Sequence, residues 1–196
     1  MNAPQPKPEL AAAIAGGAEP SLVDRIARLE RRVDRLPDPN NLTLLVFSGD
    51  LDRLMAAFTI ASGAAATGMS VNMFFTFWGS AALKRGGAQP GGKTLVERMF
   101  GWMLPGGVDR LPLSKLDFAG MGRVLMAREL KRKGIADLRG LIDGAIESGV
   151  RVYVCEMTLD MMGIRREELI DYPGLSVCGV ASFVEMAAGG HNTLFI

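Results

Sequence analysis

The chain has 196 residues, 48% of them hydrophobic, and a formal net charge of +1. That length suits one domain with appendages, and the apolar fraction is enough for a buried core. A near-neutral charge argues against a protein defined by nucleic-acid binding, and two cysteines, Cys155 and Cys178, cannot form a disulfide framework.

The first ten residues, MNAPQPKPEL, lack the basic start and apolar run of a signal peptide. The expected location is therefore a reducing cytoplasm, where free thiols persist. Residues 1–20 are rich in Pro, Ala and Gly and are expected to be a disordered tail. Residues 21–40 read as an amphipathic helix and linker. Ser21 is a plausible N-cap, and Leu22, Ile26, Leu29, Val33 and Leu36 repeat with the 4-3-4-3 spacing of a coiled-coil seam. Two heptads alone are marginal. The helix either packs on its own domain or joins copies together.

Residues 41–196 alternate strand and helix. Strands are expected at 42–48, 71–78, 150–155, 175–178 and 192–196. Helices are expected near 51–67, 121–133, 137–148 and 156–163, with another running to about 188. Residues 84–120 read as a loop-like insertion rich in Gly, Pro and Met. Such alternation implies βαβ units, a parallel sheet and helices on both faces. The run from Leu54 to Leu83 holds 30 residues without a charge, long enough to span a bilayer. Eighteen of them are Ala, Gly, Ser, Thr or Asn, with a turn at 67–70. A buried helix followed by a buried strand accounts for the run better.

Ligands of open parallel sheets bind outside the carboxyl ends of the strands. The residues there are Ser48, Gly49 and Asp50 after the first strand, Trp78 to Ser80 after the second, Cys155 at the third and Cys178 at the fourth. A thiol before a helix start is favoured as the thiolate, its nucleophilic form. The acidic neighbour Glu156 opposes this. Equally, Cys155 reads as a small buried hydrophobe, since free cysteine is among the most buried residue types. Cys178 is either a resolving or relay thiol or a packing residue. His191, the one histidine, falls in a Gly-rich turn away from the strand ends, and no metal-ligand set is evident.

GAQPGGKT at 87–94 matches the letters of a phosphate-binding P-loop. The eight residues between Trp78 and the motif give it the wrong context, and a flexible Gly-rich loop explains it as well. Residues 84–133 hold eleven Lys and Arg against four Asp and Glu, with several Met, Phe and Trp. Within that segment, Leu95 to Lys133, which carries the Met, Phe and Trp residues, reads as a lid over the sheet edge, or alternatively as a docking surface for a protein or a membrane.

LTLLVFSGDLDRLMAAFTIASGAAATGMSVNMFFTFWG resembles the opening of the DsrE/DsrF/DsrH-like proteins. MFGWMLPGGVDRLPLSKLDFAGMGRVLM resembles the insertion of a larger subfamily, often labelled peroxiredoxin-like. VYVCEMTLDMMGI resembles that subfamily's cysteine motif, and GVASFVEMA with NTLFI its C-terminal end. The resemblance covers roughly residues 42–196. It implies a three-layer α/β/α fold with a five-stranded parallel sheet, assembly into oligomers, and a sulfur-carrier role. In that role Cys155 holds sulfane sulfur as a persulfide between donor and acceptor proteins. No cofactor is implied. Ser48, Gly49, Asp50, Thr158 and Asp160 are the expected pocket residues, and Cys178 the expected relay. The reading left open beside it is a binding module in which Cys155 is structural.

Overall fold

The computed structural model describes residues 21–33, 36–87 and 89–196, without the side chain of Ala119. The tail expected over 1–20 lies outside the described residues. Two units are present, Met1–Leu36 and Pro37–Ile196.

The first unit contributes helix α1 (Leu22–Val33). Its start is fixed by reciprocal bonds: Ser21 Oγ accepts the Asp24 N–H at 3.2 Å, and Asp24 Oδ2 accepts from Ser21 Oγ at 2.8 Å. No residue of the helix is buried. Leu22, Ile26, Leu29 and Val33 are all exposed, as is Leu36 just beyond.

The second unit runs β1 (Asp38–Val46), α2 (Leu51–Ala66), β2 (Ser70–Phe75), α3 (Phe77–Ala82), α4 (Leu95–Met103), α5 (Met121–Lys133), α6 (Leu138–Glu147), β3 (Arg151–Cys155), α7 (Glu156–Met162), β4 (Ser176–Cys178), α8 (Val180–Gly189) and β5 (Gly190–Phe195). All five strands are parallel, in the order β4-β3-β2-β1-β5. Three connections step in one direction across the sheet, β1 to β4. The last returns to the far side of β1. Right-handed crossovers place helices of opposite stepping direction on opposite faces, and the aromatic contacts agree. Phe75 of β2 meets Phe58 of α2 at 6.0 Å, while its neighbour Phe74 meets Phe183 of α8 at 5.2 Å. The result is the three-layer α/β/α arrangement.

The two outer layers differ in weight. On the α2 side, Leu54, Ala57, Phe58 and Ala61 recur at helical spacing and pack with Leu138, Ile142 and Ala145 of α6 over β1 to β3. Small alanines let α2 approach the sheet closely. Phe58 is fully buried, which contributes about 1.5–3 kcal/mol. On the other side α8 has no buried residue, and Val180, Val184 and Phe195 are exposed.

The uncharged run Leu54–Leu83 forms most of α2, then β2 and α3. Among the described residues no helix is long and apolar enough to cross a membrane. The structure departs from the sequence expectation at β2 and in the insertion, and β1 begins at Asp38, inside the expected linker. β2 stops at Phe75, so Trp78, Gly79 and Ser80 lie in α3 rather than after a strand. The insertion at 84–120 is not all loop. It holds α4, started by a capping box in which Thr94 Oγ1 accepts the Glu97 N–H and Glu97 Oε2 accepts the Thr94 N–H at 2.7 Å. Leu104, Val108 and Leu111 from the same stretch are buried in the core.

Candidate functional site

Cys155 is the last residue of β3 and directly precedes α7. Its Cα register partner in the neighbouring strand is Cys178, the last residue of β4. Neighbouring strands lie about 4.8 Å apart, and register partners in parallel strands project from the same face. The two Cα atoms therefore fall within the roughly 4.4–6.8 Å span that a disulfide can bridge. Both thiols are free. Tyr153 pairs with Phe74, so the face carrying Tyr153 and Cys155 is the lightly covered one beneath α8.

The thiols differ in access. Cys155 is 2% exposed, whereas Cys178 is half-buried. Burial pushes the Cys178 thiol above its ordinary range; Ser182 pulls the other way, and Cys155 and Glu156 add to the rise. Thiolate at Cys178 is correspondingly scarcer near neutral pH.

The expected pocket residues do not share one cavity. Ser48, Gly49 and Asp50 line a cavity of about 410 Å³ with Trp78, Met103 and Pro112. It lies after β1, two strands from β3 in the sheet order. It therefore sits outside the carboxyl end of a strand, where open α/β sheets bind their ligands. Ser48 Oγ donates to Asp50 Oδ2 at 2.7 Å. Gly49 is required there, because a Cβ would come within 2.6 Å of the Trp78 carbonyl oxygen. Gly79 fits as tightly against the Val46 carbonyl.

Thr158 is fully buried and lines none of the cavities described here. Its Oγ1 accepts the Phe77 N–H at 3.1 Å and lies 3.1 Å from Thr76 Oγ1. It ties α7 to the end of β2, where Phe77 takes the unusual φ of 46°. Asp160, on the same helix, is exposed. His191 lies within β5 rather than in a turn before it.

The P-loop-like letters also resolve into packing. Lys93 is buried and donates to both carboxylate oxygens of Glu168, at 2.7 Å to Oε2. Thr94 is the cap of α4. Lys93 is thus engaged with a carboxylate rather than presented to a phosphate. The residue that sequence reasoning missed is Glu168, and a pairing across 75 positions leaves no local signal.

The model of the DsrE/DsrF/DrsH-like family matches residues 39–195. The uncharacterized protein YrkE of Bacillus subtilis is 42% identical over 154 residues, covering 79% of this chain and 95% of that protein. The protein of Allochromatium vinosum named sulfur carrier protein DsrE2 is 31% identical over 163 residues, covering 81% of this chain and 99% of that protein. The crystal structure of the ychN protein from E. coli overlays with a TM-score of 0.45 at 10% identity, covering 82% of this chain and all of that one.

Proposed function

Since the chain belongs to the DsrE/DsrF/DrsH-like family, we propose that it carries sulfane sulfur on Cys155, in a sulfur-relay role of the kind named for its 31% identical relative. The observation that carries this reading is the in-register pair of free thiols, Cys155 and Cys178, at the carboxyl edge of the sheet.

The chemistry is a transfer between sulfurs. The Cys155 thiolate attacks the outer sulfur of a donor persulfide. A new S–S bond forms, the donor's S–S bond breaks, and the donor leaves as a thiolate. An acceptor thiolate then repeats the attack on the outer sulfur held at Cys155, whose own thiolate is restored. No net oxidation occurs. Because Cys178 is the more exposed thiol, it relays sulfur between solvent-borne partners and the buried Cys155. A reducing compartment such as the cytoplasm keeps both thiols available.

We further read α1 as an assembly element. Its seam has Ile26 and Val33 at one core position and Leu22, Leu29 and Leu36 at the other. β-Branched residues at a with Leu at d favour two parallel strands. In that register Arg25 faces Glu30 of the partner subunit, an attractive pair.

The test is peptide mass spectrometry after exposure to polysulfide, on the wild type, Cys155→Ser and Cys178→Ser. The expected result is one added sulfur on Cys155, absent in Cys155→Ser and removed by reductant, with slower loading in Cys178→Ser. A Cys155 that gains no sulfur would overturn the reading. The 2% exposure of Cys155 would then mark it as packing, and the chain as a binding module centred on the cavity at Ser48 and Trp78.

A further inference from the structure

The insertion encloses more positive than negative charge. Lys84, Lys93 and Glu168 are 5%, 8% and 8% exposed. Lys93 and Glu168 neutralise each other through their paired hydrogen bonds. The Lys84 ammonium makes no hydrogen bond and no ion pair among the described residues, although both of those groups lie near enough to act on its charge. The three groups together carry one net positive charge, and charge in a largely buried setting is ordinarily balanced by a partner of opposite sign. Burial accordingly pushes Lys84 below its ordinary range, with Glu168 opposing and Lys93 adding to the fall.

Lys84 lies on the wall of a cavity of about 620 Å³, a size usual for small-ligand sites. Arg85 and Arg110, both exposed, share that wall, as do Gly86 and Gly106. Arg85 donates to the Glu167 main-chain oxygen, which holds its guanidinium beside the opening. A Cβ on Gly86 would come within 2.8 Å of the Gly106 carbonyl oxygen. The two glycine segments therefore close on one another through main chain alone, leaving space that side chains would fill. Glu167 is the remaining acid on the wall, since Glu168 is taken by Lys93.

We propose that this cavity binds a small oxyanion of the phosphate or sulfate class, with the Lys84 ammonium as its buried contact and Arg85 and Arg110 at its mouth. The site lies at the P-loop-like segment, and Gly87, Gln89 and Pro90 contribute to its wall. The lysine that serves it is Lys84, however, not the motif's own Lys93. Glu168 keeps Lys93 out of the cavity and leaves Lys84 as the unmatched charge. This assignment does not depend on sulfur transfer at Cys155, so either can fail without the other.

The test is isothermal titration of the full chain with inorganic phosphate and with sulfate, against sodium chloride at matched ionic strength. The expected result is saturable binding with one site per chain. Lys84→Met should weaken it at least tenfold, the scale set by one charged hydrogen bond. Arg110→Ala, on an exposed side chain that the fold does not need, should weaken it several-fold. An absence of saturable heat in the wild type, or a Lys84→Met protein that binds as the wild type does, would overturn the assignment. If Lys84→Met does not fold, unchanged affinity in Arg110→Ala would do the same.

Discussion

Replacing Thr158 by valine deletes one hydroxyl from the join between α7 and the end of β2 while nearly keeping the side chain's shape. Thr158 is fully buried, its Oγ1 accepts the Phe77 N–H, and Thr76 Oγ1 lies 3.1 Å from it. Valine leaves both partners without that bond. A buried polar group stripped of its partner costs about 1–3 kcal/mol. Thr76 can turn its hydroxyl toward another acceptor more readily than the Phe77 amide can, so the sum is about 2–4 kcal/mol. Set against a typical stability of about 5–15 kcal/mol, that is a large loss. Phe77 adds a second reason, because a non-glycine residue at φ 46° is held there by its surroundings. The assay is urea unfolding followed by circular dichroism, with Thr158→Ser as control. Serine keeps the hydroxyl and loses one methyl, a cost of about 1 kcal/mol. The midpoint should fall further for valine than for serine, with similar slopes. A Thr158→Val protein as stable as Thr158→Ser would refute the reasoning and restore Thr158 as a replaceable pocket residue.

Tyr172 donates its phenol to the Val150 carbonyl at 2.7 Å, and burial pushes its pKa from 10.0 up to about 12. The unfolded chain therefore releases this proton first. The contribution of Tyr172 to stability is full below pH 10.0 and drains away as pH rises toward about 12. Urea midpoints from about pH 9 to about pH 11 should fall more steeply in the wild type than in Tyr172→Phe, and equal slopes would count against this account. Gly79→Ala would drive a Cβ into the Val46 carbonyl oxygen, so a loss of about 1–3 kcal/mol is expected by thermal or urea unfolding, and a neutral substitution would mean the crossing is looser than described. Leu29→Asp places a charge in the α1 seam, and sedimentation velocity should then report a smaller particle. An unchanged mass would exclude α1 from assembly.

The sheet was legible because its strands are short apolar runs bounded by Gly, Asp and Asn. VRVYVC and LTLLV identify themselves by composition alone. The insertion was harder. Its Gly, Pro and Met content hid α4, although the Thr94-x-x-Glu97 capping box was there to be read. β2 was read too long because nothing in Thr76-Phe77-Trp78 marks a break, and phenylalanine is not a residue one expects at positive φ. The candidate site was legible in part. Strand ends fixed the addresses of Cys155 and Cys178, but only the register of β3 on β4 makes them neighbours. The same topology separates Ser48 and Asp50 from them, and it turns Thr158 inward as a tie. Glu168 against Lys93 belongs to tertiary structure entirely.

The return of β5 to the open side of β1 also bears on how the chain reaches its native state. Leu42 meets Val71 in one ladder and Asn192 in the other. The second loop is roughly five times the first, so closing it costs about 1.4 kcal/mol more in chain entropy. β1 to β4 can therefore assemble while β1 still has a bare edge, and contacts so distant in sequence form slowly. During that interval the edge of β1 is an open template for another chain. Substitutions that weaken β5 should therefore show first as slower refolding and aggregation at high protein concentration, while the cysteine pair, three and four strands away, is left in place.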